Sequence, residues 1–216
     1  MDEFQTLLQQ FKIVPVVTPY SVNETLKMTE AMIAGGITCV EITLRTDCAW
    51  QAFTALKQSG MPVKVGIGTI TNTELLRKAI DVKPDFIVSP GVTEKILALA
   101  AQHTVPFLPG VASASELMLA CEYGFSTLKL FPAMSVNATS LLPSLAGPFT
   151  DVKFCPTGGV NLNNAAQLLA MDNVVCVGGS WMIAKPLLQA EDWPTVTQLS
   201  KEAMALGDTI SECQEV

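Results

Sequence analysis

A lysine stands inside a short, otherwise apolar run, Thr127-Leu128-Lys129-Leu130-Phe131. Side chains alternate between the two faces of a β-strand, so Lys129 shares one face with Thr127 and Phe131 while the two leucines share the other. If the lysine face is buried, apolar surroundings disfavour the ammonium form and lower the pKa of Lys129. A neutral amine is a nucleophile toward ketones. The run therefore predicts an imine-forming lysine or, alternatively, a buried ion pair.

A second polar alternation occurs in Val40-Glu41-Ile42-Thr43-Leu44-Arg45. As a strand, this run turns its aliphatic side chains to one side and Glu41, Thr43 and Arg45 to the other. A carboxylate and a guanidinium turned inward must be paired or belong to a solvated site. Arg45 falls at the carboxyl end of the run, where it would suit an anion receptor. A structural pair of Glu41 with Arg45 or Lys129 is the alternative, and a Glu41–Lys129 pair is also compatible with a resting active site.

Two glycine pairs follow the last two apolar runs, in Thr157-Gly158-Gly159 and Gly178-Gly179-Ser180. Glycine lets the backbone approach a ligand closely and direct amide N–H groups at its oxygens. One such pair is common in turns, but two at neighbouring strand ends predict a phosphate-binding corner. Thr69 and Ser89 follow two earlier runs and are weaker candidates, because such residues more often cap a local turn.

A unit of one strand and one helix recurs along the chain. Apolar, β-branched runs recur about every 20 to 26 residues, with helical patterns between them. The runs are Ile13–Val17, Cys39–Arg45, Val63–Ile67, Phe86–Ser89, Pro106–Pro109, Thr127–Phe131, Lys153–Pro156 and Val174–Val177. Eight β units alternating with helices predict an α/β fold, a single-domain (β/α)8 TIM barrel over residues 1–216. An open doubly wound sheet is the alternative, but no G-x-G-x-x-G motif follows the first run.

Helix signals complete this prediction. An i, i+3, i+4, i+7 pattern from Phe4 to Phe11 predicts an N-terminal helix before the first strand. Thr71-x-x-Glu74 and Ser113-x-x-Glu116 predict capping boxes, and Ala190–Val216 predicts a closing helix with a tail. In such a barrel the chemistry lies where strands end and βα loops begin, with phosphate bound after strands 7 and 8.

The composition narrows the class of protein. The chain has 216 residues, 13 basic and 20 acidic, with a formal net charge of -7 and 49% hydrophobic residues. Only 15% of residues are charged, against about 25% in typical domains, which favours a large buried core over disorder. Net acidity without Lys/Arg clusters disfavours a nucleic-acid partner. The longest uncharged stretch, 130–150, contains three prolines and is not a spanning helix, so we expect no membrane partner.

Histidine and cysteine usage exclude further chemistry. His103 is the single histidine, so a His-rich metal site or a two-histidine mechanism is excluded, and we expect His103 at a helix end on the surface. The six cysteines form no C-x-x-C pair and mostly lie in apolar runs. We interpret them as reduced core thiols, and with an acidic start that resembles no signal peptide they predict a cytoplasmic protein.

Eight short segments, in order along about residues 13 to 185, together carry a family resemblance. They are Val40–Thr46, Gly66–Thr69, Ser89–Gly91, Leu108–Gly110, Ser115–Met118, Lys129–Ala133, Phe154–Gly159 and Gly178–Trp181. In this combination the chain resembles the 2-keto-3-deoxy-6-phosphogluconate (KDPG) aldolase family, whose members often also act as 4-hydroxy-2-oxoglutarate (KHG) aldolases.

The resemblance implies a class I aldolase on a (β/α)8 barrel, usually a homotrimer, with no metal and no other cofactor. By motif position, Lys129 matches the Schiff-base lysine and Glu41 the proton-transferring carboxylate. Arg45 and Thr69 match residues that hold the pyruvate carboxylate. The other expected substrate contacts are Phe131, Thr157, Gly158, Gly159, Gly179 and Ser180.

The implied reaction cleaves KDPG to pyruvate and glyceraldehyde 3-phosphate, with cleavage of KHG to pyruvate and glyoxylate as a second expected activity. One segment departs from the family pattern. Family members often carry an acidic residue and glycines after the F-P-A segment, whereas this chain has Met134-Ser135-Val136-Asn137. An aldolase for a related acid, such as 2-dehydro-3-deoxy-6-phosphogalactonate, is therefore an alternative.

The residues alone also allow three other classes of function. A metal-dependent pyruvate aldolase would act through carboxylates and a divalent ion. A phosphosugar isomerase or decarboxylase would share the phosphate corner but not the imine lysine. A non-catalytic protein that binds a phosphorylated ligand is disfavoured, because burying Glu41 and Lys129 is costly for mere binding.

Overall fold

The computed structural model describes the backbone of residues 3–214 and the side chains of residues 4–206. The ends of the predicted 1–216 domain and the side chain of Cys213 lie outside this part. The described strands are β1 (Ile13–Val17), β2 (Cys39–Thr43), β3 (Lys64–Gly68), β4 (Phe86–Val88), β5 (Phe107–Leu108), β6 (Gly110–Val111), β7 (Thr127–Leu130), β8 (Lys153–Pro156) and β9 (Val177–Gly179).

Helices alternate with these strands along the chain. They are α1 (Glu3–Phe11), α2 (Val22–Ala34), α3 (Ala49–Gln58), α4 (Thr73–Asp81), α5 (Glu94–Ala100), α6 (Ala114–Glu122), α7 (Ala138–Ala146), α8 (Leu162–Leu169), α9 (Lys185–Gln189) and α10 (Trp193–Gln214), with a 3-10 helix at Trp181–Ile183. No helix among the described residues is both long and apolar enough to cross a bilayer.

All named strand pairs are parallel, as expected when a helix lies between the two strands of each pair along the chain. Six strands form one sheet in the order β5-β4-β3-β2-β1-β9, and β6, β7 and β8 form a second. Isolated parallel bridges join Phe154 to Val174 and Thr157 to Gly178. The alternating α/β architecture with parallel strands confirms that part of the sequence prediction.

The predicted fifth strand is interrupted. Pro109 separates β5 from β6, because a proline has no N–H to donate to the ladder. Its carbonyl still accepts a hydrogen bond from the Lys129 amide at 2.9 Å, so the chain continues alongside β7. Pro15 and Pro156, by contrast, lie within β1 and β8 and keep parallel register partners.

The predicted last strand is displaced along the chain. Of Val174–Val177, only Val177 belongs to β9, which continues through Gly178 and Gly179 instead. These residues pair with Ile13, Val14 and Pro15 of β1. The register of the neighbouring strand therefore decides the position of β9, rather than the β propensity of the valines.

Two apolar clusters divide the core. The larger one lies between the strands and the helices that pack on them, and it includes Ile42, Leu128 and Leu130. The smaller one contains the inward side chains of several strands and the apolar face of α1. In it, the rings of Phe4 and Phe11 lie 6.5 and 6.1 Å from the ring of Phe86. The predicted N-terminal helix is confirmed, and it packs beneath the inward side chains.

Of the two predicted helix N-caps, Ser113 is confirmed and Thr71 is wrong. Helix α4 is capped by Asn72, whose side chain accepts the Leu75 N–H at 2.8 Å, so the capping box expected at Thr71 is wrong. Asparagine is the stronger N-cap of the two residue types. Ser113 caps α6 as predicted, accepting the Glu116 N–H at 3.3 Å. The Glu116 carboxylate, however, accepts from the Ala112 N–H at 2.7 Å and from the Ser113 hydroxyl at 3.1 Å, rather than from the Ser113 backbone N–H that a capping box requires.

Candidate active site

Lys129 and Glu41 meet inside the protein. They come from β7 and β2, strands of different sheets, yet the lysine Nζ lies 3.4 Å from both carboxylate oxygens. The side chains of Lys129 and Glu41 are 5% and 4% exposed. The predicted Glu41–Lys129 pair is therefore present, whereas a Glu41–Arg45 pair is not.

The alternation of each strand explains this meeting. In β2, Val40 and Ile42 join the larger apolar cluster, so Glu41 takes the opposite, inward face. In β7, Leu128 and Leu130 do the same and turn Lys129 inward. Both predicted side-chain directions are confirmed by this burial.

Phe131 lies at the end of β7 beside the lysine. The Lys129 Nζ is 5.4 Å from the centre of the Phe131 ring, within the range of a cation–π contact. Phe131 is half-buried. Phe131 is thus brought to the lysine, as its place in the alternation predicted.

Arg45 requires a correction. Strand β2 ends at Thr43, so the alternation does not continue to Arg45, whose side chain is exposed in the loop toward α3. The Arg45 backbone N–H donates a hydrogen bond to the Thr43 carbonyl at 2.9 Å, and this local turn ends the strand. Among the described residues, Arg45 makes no ion pair. It therefore stands at the carboxyl end of β2 as an exposed guanidinium, not as an inward strand residue.

Thr69 has an unusual backbone. It follows β3 directly, is half-buried, and has a φ of 71°. This left-handed region is strongly unfavourable for a β-branched residue, and such strain concentrates at functional sites. Thr69 was a weak candidate in the sequence, where nothing signals a positive φ.

The two glycine turns lie side by side. The parallel bridge between Thr157 and Gly178 joins the ends of β8 and β9 directly. Gly158 and Gly159 have φ values of 99° and 77°, which glycine adopts without strain. Gly179 ends β9, and Ser180 is exposed at the start of the 3-10 helix. The structure thus brings the predicted phosphate corner together.

Hydrogen bonds connect this corner to the loop after Lys129. The Ala133 N–H donates to the Thr157 carbonyl at 2.8 Å, and the Met134 N–H donates to the Gly158 carbonyl at 3.0 Å. Met134 also packs tightly against Gly159, since a Cβ there would lie 2.8 Å from the Met134 Cβ. The segment that departs from the family pattern therefore forms one wall of the glycine turn.

Three thiols lie among the inward side chains near the ion pair. Cys155 is the register partner of Lys129, and together with Cys39 and Cys176 it belongs to the inner cluster. A hydrogen bond from Cys176 is the main cause that holds the pKa of Cys155 below its usual value, and burial opposes this effect. Burial raises the pKa of Cys39 and of Cys176 well above theirs. The predicted core thiols are free and buried at these three positions, whereas Cys48 is free but half-buried and Cys121 is free but exposed, so the prediction of a core thiol is wrong for Cys121.

Other candidates have local roles. The buried Ser89 hydroxyl accepts the Gly110 N–H at 3.2 Å, which ties β4 to β6. His103 is exposed at the end of α5, as predicted, and its backbone N–H donates to the Ala100 carbonyl. Within residues 4–206, no three His, Cys, Asp or Glu side chains cluster in a way that could hold a metal ion.

Two threonines at this end of the strands, Thr18 and Thr43, were not predicted as site residues. The buried Thr43 hydroxyl donates to the Val17 carbonyl at 2.8 Å and shares a 3.2 Å hydrogen bond with the Thr18 hydroxyl. Thr43 lies on the inward face of β2, as its alternation with Glu41 indicates. The contact with Thr18 depends on the pairing of β1 with β2 and had no signal in either segment alone.

The comparison with known families decides the assignment. The sequence model of the family described as "Aldolase: KDPG and KHG aldolase" matches residues 4–199. The chain belongs to the KDPG and KHG aldolase family. The chain is also 43% identical over 199 residues to a 2-dehydro-3-deoxy-phosphogluconate aldolase of Pseudomonas aeruginosa, covering 92% of this chain and 90% of that protein.

Solved structures of KDPG aldolases share the fold. The enzyme of Legionella pneumophila, with pyruvate captured at low pH as a covalent carbinolamine intermediate, is 33% identical with a TM-score of 0.90, covering 94% of this chain and 98% of that one. The enzyme of Zymomonas mobilis with 3-phosphoglycerate is 34% identical with a TM-score of 0.88, covering 94% of this chain and 96% of that one.

Proposed function

We propose that this chain is a class I aldolase that cleaves KDPG to pyruvate and glyceraldehyde 3-phosphate through an imine on Lys129. The buried Lys129–Glu41 pair, 3.4 Å apart, is the observation that carries the proposal. It provides an amine and a proton-transferring group together in a member of a family whose Legionella relative holds pyruvate as a carbinolamine. KHG, cleaved to pyruvate and glyoxylate, is the second substrate that we propose.

In this mechanism the Glu41 carboxylate takes a proton from Lys129, and the neutral amine that results attacks the C2 ketone of the substrate. Glu41 moves protons as the carbinolamine loses water and becomes an iminium. The C4 hydroxyl then gives its proton to the Glu41 carboxylate, the C3–C4 bond breaks, and its electron pair flows into the iminium to give an enamine. Protonated Glu41 returns this proton to C3 of the enamine, and hydrolysis of the iminium releases pyruvate and regenerates the amine. The iminium is the electron sink that the developing carbanion needs.

We assign the binding roles by position around this pair. Arg45 and Thr69 hold the pyruvate carboxylate; both follow the carboxyl ends of their strands, β2 and β3. Phe131 packs beside the imine, since its ring already lies next to the amine. Fixing the keto acid in this way presents C2 to the amine, which is an orientation effect.

The phosphate is proposed to bind at the glycine turns after β8 and β9. The set comprises Thr157, Gly158, Gly159, Gly179 and Ser180. Backbone N–H groups in such turns bind anions without a cationic side chain. The Zymomonas relative carries 3-phosphoglycerate, a phosphorylated three-carbon acid, which supports an anion site in this family.

The closed architecture, assembly and location are also proposals. We propose that the two sheets form one closed (β/α)8 TIM barrel. The Thr157–Gly178 bridge at one junction and the single residue Pro109 at the other support this closure. We further propose a cytoplasmic homotrimer, by family resemblance.

We expect no metal or other cofactor, because the imine supplies the electron sink. A chelator such as EDTA should therefore leave turnover unchanged, whereas a metal-dependent pyruvate aldolase would lose activity. A phosphosugar isomerase or decarboxylase would keep turnover without the lysine. A simple phosphate-ligand binding protein would bind and release no product.

The test is pyruvate release from KDPG, its galactonate counterpart and KHG, measured side by side with EDTA present. We expect turnover of KDPG and its loss in Lys129→Met, which keeps the length and apolar stem of the side chain. Lys153→Met is the matched control, since its amine donates to the Asp172 carbonyl on the surface. Turnover by Lys129→Met, or turnover of the galactonate substrate alone, would contradict the proposed function.

A further inference from the structure

Strand β3 presents two glycines on its inward face. Gly66 and Gly68 are two residues apart, so they share a face, and both are buried. Their register partners in β2 are Glu41 and Thr43. Strand β3 therefore contributes no side chain at two successive inward positions, and its neighbours occupy the space.

Different neighbours occupy the two positions. A Cβ on Gly66 would overlap the ring of Phe86, which belongs to the smaller apolar cluster. A Cβ on Gly68 would lie 2.7 Å from Cδ and 2.8 Å from Cγ of Glu41, and closer still to Oε1. Separations under 3.0 Å essentially never occur for a real Cβ. The Glu41 carboxyl group thus lies directly against the bare backbone of Gly68.

The backbone of Gly68 does not itself require glycine. Its φ lies outside the left-handed region, unlike that of Gly158 or Gly159. An alanine at position 68 could adopt the same φ without backbone strain. The missing side chain therefore matters for space, which is the usual reason for a close approach at a strand glycine.

Hydrogen bonds alone do not fix the Glu41 carboxylate. Among the described side chains, only Lys129 donates to it, and both distances are long at 3.4 Å. Packing must then determine where the carboxylate lies. The surface that it packs against is the one provided by Gly68.

We propose that Gly68 is a positioning residue that sets the place of the Glu41 carboxylate relative to the Lys129 amine. A side chain at position 68 displaces the carboxylate from the amine, and proton transfer slows. This inference rests on the proposed proton-transfer role of Glu41, so its test must separate the two.

The test is a pair of double-mutant cycles with Gly68→Ala. Alone, Gly68→Ala should lower kcat about 10²-fold, the cost of a misplacement near 1 Å. Glu41→Gln is isosteric but has no carboxylate to misplace, so adding Gly68→Ala to it should leave the residual kcat unchanged. Gly147→Ala, where a Cβ meets nothing within 4 Å, is the control for a glycine-to-alanine change and should retain activity.

Melting temperatures complete the test, including the case in which Gly68→Ala folds poorly. Glu41→Ala removes the group that the new Cβ would meet, so Gly68→Ala should lower Tm in the wild type but not in the Glu41→Ala background. Full turnover by Glu41→Gln would overturn the proposed role of Glu41 itself. A slow Glu41→Gln with equal kcat losses from Gly68→Ala in both backgrounds, or equal Tm losses in the wild-type and Glu41→Ala backgrounds, would overturn the positioning inference alone.

Discussion

The Nζ of Lys129 lies 3.4 Å from each carboxylate oxygen of Glu41, although the two residues belong to different sheets. Desolvation makes such a buried pair a poor source of stability compared with apolar residues of similar volume. Its presence among inward side chains therefore favours a chemical role. In the proposed reaction, the amine forms the imine and the carboxylate moves the protons.

Glu41→Gln keeps the shape of the side chain and removes its basicity. We expect kcat for KDPG cleavage to fall about 10² to 10⁴-fold, the usual contribution of a positioned acid–base group. KM should change little, because Glu41 is not proposed to hold the substrate. Steady-state pyruvate release measures both constants. Glu30→Gln, an exposed change on α2, is the control, and equal kcat values for the two variants would contradict the role of Glu41.

Gly159→Ala tests the phosphate corner. Its φ of 77° strains any residue with a Cβ, and the new methyl group would press on Met134. We expect the turn to shift and KM for KDPG to rise about tenfold, equivalent to roughly 1.4 kcal/mol of lost binding. KM for unphosphorylated KHG should change less. An equal effect on both substrates would place the phosphate elsewhere.

Asp85 predicts a pH dependence of stability. Burial alone would raise its pKa, but hydrogen bonds from Lys57 and from the Val65 N–H, both 2.8 Å, outweigh burial and lower the pKa below 3.8. A carboxyl with a lower pKa in the folded chain stabilises the fold above its ordinary pKa, and that stability is lost as the pH falls through 3.8 and below.

Asp85→Asn should therefore destabilise the protein at pH 7 by roughly 1 to 2 kcal/mol, the loss of a charge-assisted hydrogen bond. It should also lose less stability than the wild type between pH 5 and pH 3, a window around the ordinary carboxyl pKa of about 4. Thermal melts across this range measure both effects. Asp81→Asn, an exposed change on α4, is the control. Parallel Tm curves for Asp85→Asn and the wild type would refute the assignment.

Local sequence patterns predicted the features that depend on alternation. Glu41 and Lys129 each lie between two aliphatic residues of their strand. These neighbours pack against the helices, so Glu41 and Lys129 lie on the opposite, inward face. The glycine turns lie together because parallel strands end at one edge of a sheet. These rules need only the residues of one run and the order of the runs.

Features that depend on a partner segment had no local signal. The last strand lies further along the chain than predicted, because pairing with β1 sets its position. Strand β2 ends before Arg45, because the Arg45 N–H donates to the Thr43 carbonyl. The positive φ of Thr69 likewise reflects its surroundings, since a threonine alone would avoid it. The reason for a glycine at position 68 also lies in another segment, because the Glu41 side chain of β2 fills the space above it.

Reductive trapping shows whether Lys129 forms an imine with pyruvate. Sodium borohydride added with pyruvate reduces an imine to a stable secondary amine, and peptide mass spectrometry locates it. We expect one pyruvate-derived adduct, on Lys129, and none in the Lys129→Met variant. No adduct, or an adduct on another lysine that persists in Lys129→Met, would contradict an imine at this position.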